Sequence, residues 1–254
     1  MNKNRTILYG YLAVLATSFL LGLFPTITKP VIATINPLFF TSISALAPFF
    51  VFTPLSISAS RRNKGKKQGV KGRKIYAVIL ISSFVGGIIG PVLYFFGLQT
   101  TAASDASLLA NAEMVFTIVI ASFVFHEKLN RTGLMAVLLV SIGVVVVTTN
   151  LQFSNSTFDF VSPGHIMIIL SGLCWGTDNN IITYASERID VVKFIQLRSS
   201  IAGPVLISLA FLTSVFPPNT SELPRIFLIG LVVFGGSMYA NFMALKWLGA
   251  IRST

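Results

Sequence analysis

Polar and apolar positions along the chain alternate in long blocks, not with the period of a surface helix or a half-buried strand. Runs of about 20 mostly apolar residues, each the length that crosses a bilayer core, are divided by short polar breaks. Eight such spans can be traced, over roughly 7–28, 37–58, 75–97, 105–125, 132–149, 163–184, 191–214 and 225–246. A transmembrane β-barrel would need segments of about 10 residues with alternating polarity, and these blocks do not alternate. The expectation is an all-α polytopic membrane protein of the plasma or inner membrane, with no span-free stretch long enough for a soluble domain.

Composition agrees. The 254 residues are 54% hydrophobic and 11% charged, with a mean hydropathy of +0.79, where about 25% charged is usual for soluble domains. A net charge of +11 raises the question of nucleic acid, but the placement of the charge points to topology. Eight of the nineteen basic residues lie in the acid-free loop SRRNKGKKQGVKGRK, 60–74. With the N-terminus cytoplasmic, sixteen basic residues face inside, Lys29 and Arg225 lie at outer span ends, and Arg198 lies within a span. The positive-inside rule therefore favours a cytoplasmic N-terminus; an anionic-lipid site is the alternative use of the loop. The first span follows Lys3 and Arg5 but is longer than a signal-peptide core, so it reads as an uncleaved helix. The lone Cys174 sits inside a span as a small hydrophobe.

The spans repeat. LLGLFPTITKPV (20–31) aligns with CWGTDNNIITYA (174–185), placing Gly22 on Gly176 at an offset of 154. GLQTTAASDAS (97–107) aligns with ALKWLGAIRST (244–254) at an offset of 147, the difference being the longer basic loop. A repeat unit beginning at span 1 and again at span 6 holds five helices. An odd number inverts the second copy, the architecture of many secondary transporters, which bind substrate near midplane between the copies. Residues 1–150 then form the first repeat and 151–254 a shorter second one, cut off at the turn into its fourth helix.

The segment 102–147, AASDASLLANAEMVFTIVIASFVFHEKLNRTGLMAVLLVSIGVVVV, resembles the end of an EamA-type repeat of the drug/metabolite transporter superfamily. Glu113 stands at that family's glutamate, with Met114 where proline is common, and His126–Glu127 replaces its Gly-Glu step. Trp175–Gly176 matches the tryptophan-glycine of a repeat's first helix, and Arg198 the arginine often found in its second. The resemblance implies two inverted five-helix repeats, ten helices in all with eight complete here, and hence a C-terminally incomplete member. It further implies a permease moving an amino-acid-like metabolite or exporting a drug. A small-molecule substrate, the bilayer, protons as coupling ion and a second copy of the chain are the expected partners. The alternative is a non-transporting scaffold or assembly protein built on a decayed transporter fold.

Charge within a span costs about 2.5–3.5 kcal/mol at a helix centre, so each such residue is a candidate. Glu113 is the first, either lining a central cavity and binding a proton or cationic group, or bonding a neighbouring helix. At 100° per residue, Asp105, Glu113 and Glu127 share a broad helix face. Asp178, within TDNN (177–180), is the second; the repeat pairs it with Phe24, so the two halves differ chemically. Arg198 can pair with either acid or bind a substrate anion. Asn179 and Trp175 beside Asp178, with Tyr94, Asn111, Tyr239 and Asn241, offer the aromatic faces and amides that suit an amphiphilic small molecule, or serve packing. Lys29 and Lys193 are expected to snorkel. GGIIGP (86–91) sets Gly86 and Gly90 four apart for close helix contact, and Gly203–Pro204 and Gly235–Gly236 mark further contacts or kinks. No histidine-carboxylate cluster, nucleophile elbow or GxxxxGK[ST] loop is present, so neither enzyme, cofactor, metal site nor ATP drive is expected.

Overall fold

The computed structural model describes residues 3–62, 73–124, 131–149, 162–215 and 221–248. The described chain is helical, with no strand among these residues, because a backbone in hydrocarbon must satisfy its own polar groups. The helices are α1 (Lys3–Ile32), α2 (Pro37–Arg62), α3 (Lys74–Thr100), α4 (Ala103–Val124), α5 (Arg131–Thr149), α6 (Pro163–Ser186), α7 (Val191–Leu212) and α8 (Leu223–Leu248). Each corresponds to one span read from the hydrophobic blocks, so the chain is an all-α polytopic membrane protein. Six are long and apolar enough to cross a bilayer by length and composition. Helix α5 is shorter, and α6 is long enough but carries the polar run Thr177–Asp178–Asn179–Asn180. Most of the basic loop, the stretch 150–161, His126–Glu127 and residues 249–254 lie outside the described residues.

Polar residues start the helices where chemistry asks for them. Asn36 Oδ1 accepts from Leu38 N (2.8 Å) ahead of Pro37. Ser162 Oγ accepts from His165 N (3.2 Å) ahead of Pro163, and Asp190 Oδ1 from Val192 N (2.9 Å). Each satisfies an orphan donor of a first turn.

Three helices are not regular. Helix α3 contains a π-helical segment, Val85–Ile89, and α8 contains another, Gly230–Ser237. Helix α4 breaks at Asn111, whose side chain turns back to the carbonyls of Ser107 (3.0 Å) and Leu108 (3.2 Å). The break ends the regular 100° progression, so the face proposed for Asp105 and Glu113 is not one continuous face. Asp105 instead accepts from Ser104 (3.0 Å) at the helix start.

Packing is paired. Helix α2 lies along α7; the second half of α3 lies along α6, and the second half of α8 along α1. Helix α4 also packs on α6. At one end of the bundle Gly10 meets Leu248, and the Tyr9 and Trp247 rings lie 6.3 Å apart. At the other end Gly97 is pressed against Gly164. Lys29 also sits there, and it does not reach for water as expected. Its Nζ donates to the carbonyls of Leu98 and Thr101, the end of α3, where a cation suits the helix dipole. Between this end and mid-bilayer lies an aromatic layer of Phe24, Phe40, Tyr94 and Phe95, with Phe234 against it.

Candidate functional site

The polar residues of α6 look into the bundle because α6 is the central helix, gripped by α3, α4 and α8. Its closeness to α4 comes from Gly172 and Gly176, four residues apart. A Cβ at Gly172 would lie 3.0 Å from Glu113 N, and one at Gly176 2.7 Å from Phe116 Cβ and 2.9 Å from Thr117 N. This small-xxx-small contact lets side chains one turn further along reach across.

Two polar networks leave α6 from adjacent residues. Asp178, 3% exposed, pairs with Arg198 of α7, 7% exposed. Arg198 Nη1 donates to Asp178 Oδ2 and to Ser82 Oγ (2.8 Å), and Ser82 Oγ donates to Asp178 Oδ1 (2.5 Å). The ion pair therefore lies against α3, and α3 makes room with glycine. A Cβ at Gly86 would overlap the Asp178 carboxylate, and one at Gly87 would come 3.3 Å from Arg198 Nε. Trp175 Nε1 donates to the carbonyl of Gly86 (3.3 Å), inside the π segment.

The second network points the other way. Asn179 Nδ2 donates to Glu113 Oε1 (2.7 Å) and to Thr117 Oγ1 (3.2 Å), while Asn179 Oδ1 accepts from Asn241 Nδ2 of α8 (2.8 Å). Asn180 reinforces the α4 contact by donating to the carbonyls of Thr117 (3.1 Å) and Gly176 (2.8 Å). Among the described residues Glu113 thus has amide support but no cation: Arg198, the candidate partner of either acid, is engaged by Asp178. Glu113 Oε2 has no hydrogen-bond partner among the described residues.

The two networks face one cavity of about 100 Å³. Of the nine residues singled out in the sequence, Glu113, Trp175, Asp178, Asn179, Arg198 and Asn241 line it. Three do not. Tyr94 is fully buried behind the lining, stacked on Phe24 (5.8 Å) and 5.2 Å from the Trp175 ring. Asn111 is exposed at the α4 break, and Tyr239, 41% exposed, lies on the bundle's outer side near Phe52. Phe24, Gly86, Phe234 and Ser237 line the cavity without having been singled out as site residues. Phe24 carried a signal, its alignment with Asp178. Ser82, which holds the ion pair, had none beyond being a hydroxyl within an apolar block. Among the described residues no group of histidine, cysteine and carboxylates is arranged to hold a metal.

The EamA-like transporter family model matches residues 8–149 and again 162–254. An uncharacterized transporter of Methanothermobacter thermautotrophicus is 26% identical over 256 residues, covering 96% of this chain and 73% of that protein. An uncharacterized transporter of Helicobacter pylori is 23% identical over 258 residues, covering 97% of this chain and 80% of that one. A solved crystal structure, 17% identical, superposes with a TM-score of 0.60 over 99% of this chain and 86% of the other, a likeness of fold.

Proposed function

The chain belongs to the EamA-like transporter family, within the drug/metabolite transporter superfamily, and on that basis we propose that it is a secondary transporter carrying a small organic metabolite by alternating access. The binding site is the cavity between α1, α3, α4, α6, α7 and α8. Amino-acid-like metabolites and drugs are the substrate range the family resemblance suggests, and export is the direction. The single observation that carries the reading is Glu113, a carboxylate at the cavity with no basic partner among the described residues, since an unneutralised charge at that depth calls for a proton or a ligand.

Geometry supports the two-repeat reading, with residues 1–150 in one copy and 151–254 in the other. The offset of 147 that relates α3 to α8 carries the π segment Val85–Ile89 onto 232–236, within Gly230–Ser237. The contact of α3 with α6 has its counterpart in that of α8 with α1, as a two-fold relation requires. The cavity extends toward one end of the bundle. The Lys29 contacts and the aromatic layer close the end where α1 finishes, while Thr17, Ile182 and Asn241 extend the lining toward the end where α1 begins.

A proton on Glu113 is the coupling ion in this scheme. Protein reconstituted in vesicles with an imposed pH gradient tests it, with a labelled panel of amines and amino acids. Glu113→Gln is expected to abolish gradient-driven flux while leaving the thermal unfolding midpoint within a few degrees of wild type. Unchanged flux would remove Glu113 from the mechanism.

A further inference from the structure

We infer that the cavity selects a small organic monocation, an amine with an apolar body, over the corresponding zwitterion or carboxylate. The biological use of that selectivity rests on the transporter reading above; the binding itself does not.

The argument begins with charge. The lining carries two carboxylates, Glu113 and Asp178, and one guanidinium, Arg198. Arg198 is neutralised in place by Asp178, and Ser82 bonds both. Among the described residues no other basic side chain lines the cavity: Lys29 bonds the carbonyls ending α3, Lys193 bonds Gln196 (2.9 Å), and Lys246 is exposed. The carboxyl left without a cation among the described lining residues is therefore Glu113, which there bonds only the neutral amide of Asn179. An ammonium supplies both the missing charge and donors for Oε2. Phe24, Trp175 and Phe234 in the same lining give aromatic surface for its body, and ring faces attract cations.

A carboxylate on the ligand has no such place. Its one candidate partner, Arg198, already holds Asp178, so binding there would set two carboxylates side by side in a low-dielectric site, where like charges repel strongly. Size adds a second filter: about 100 Å³ is well below the roughly 300–1,000 Å³ of sites for drug-sized ligands.

Three probes share one branched carbon body: isopentylamine, leucine, which adds a carboxylate to it, and 4-methylpentanoate, which lacks the amine. Binding is measured by calorimetry, and by fluorescence in Trp247→Phe, which leaves Trp175 as the only tryptophan. Isopentylamine is expected to bind saturably and at least tenfold more tightly than leucine or 4-methylpentanoate. Glu113→Gln should weaken the amine at least tenfold, whereas Glu113→Asp, which keeps the charge, should retain most of it. Leucine binding as tightly as the amine, amine binding indifferent to Glu113→Gln in folded protein, or no saturable amine binding would each overturn the inference. Vesicle flux of the same three probes separates the two readings. Leucine flux without amine flux defeats monocation selectivity and leaves the transporter standing. Glu113-dependent amine binding, with no flux of any solute in the wider panel, does the reverse.

Discussion

Helices α1 and α6 present unlike walls to the same cavity, although the proposed repeat makes them counterparts. Where α6 has Asp178, α1 has Phe24, stacked on Tyr94 and set edge-on to Phe95 and Phe234. The offset of 154 also pairs Arg198 of α7 with Ser44 of α2, a buried serine whose hydroxyl has no partner among the described residues. An arginine would not fit at Ser44: a Cβ at Gly230 would already lie 2.5 Å from Ser44 Cα, so α8 crosses α2 backbone to backbone. One wall is thus aromatic and uncharged, the other an ion pair buried between helices. Neutralised charge holds the second wall together, and the other acid, Glu113 of α4, lies outside the pair, where we propose that it meets a ligand. Two acids in one cavity have therefore separated into one paired with a cation and one that, among the described residues, bonds a neutral amide.

The sharpest way to break this contrast is to strand the paired acid. Arg198→Met leaves Asp178 buried without its cation and is expected to cost about 3–5 kcal/mol, read as a lowered unfolding temperature in detergent. Adding Asp178→Asn should recover most of the loss, since the pair is then removed together; no recovery would mean that Arg198 supports the fold through something other than Asp178.

A smaller effect separates the walls by space alone. Gly176→Ala pushes a methyl into Phe116 and the α4 backbone and is expected to cost about 1–3 kcal/mol. At its counterpart Gly22 an added methyl would meet no atom within 4 Å, so Gly22→Ala should be neutral or stabilising by up to about 1 kcal/mol. Equal responses of the two glycines would contradict the close α4–α6 contact.

The smallest expected change is at the relay into Glu113. Asn241→Ala removes a single interhelical bond, to Asn179, with a cost near the roughly 0.6 kcal/mol average measured for such bonds in a membrane bundle. A loss several times larger would make α8 a main support of Asn179.

Much of this was legible in the sequence. Apolar blocks of bilayer length gave all eight helices, because hydrocarbon leaves the backbone so few choices. The same cost of polarity in hydrocarbon singled out Glu113, Asp178 and Arg198. Partnership was harder to read. Nothing in the order of residues says that Arg198 prefers Asp178 to Glu113; that follows from Gly86 and Gly87 opening α3 to the pair, and from Ser82 lying where it can bond both. Angles failed where helices are irregular. Asn111 interrupts α4, so counting 100° per residue from Asp105 to Glu113 crosses a break. Tyr94 and Tyr239 follow π segments and fall off the lining, one behind it and one outside it, while Asn241, two positions after Tyr239, reaches it.

Those π segments decide where these two helices can change length. Deleting a residue from an α-helix turns everything beyond it by about 100° and would carry one face of a membrane helix from protein to lipid. Within Val85–Ile89 and Gly230–Ser237 the hydrogen bonds already span five residues in place of four. A residue lost there lets the bonding return to the α pattern with both flanking faces kept in place. In a bundle where most insertions and deletions would scramble a seam, α3 and α8 each hold one stretch, at the depth of the cavity, that can absorb them.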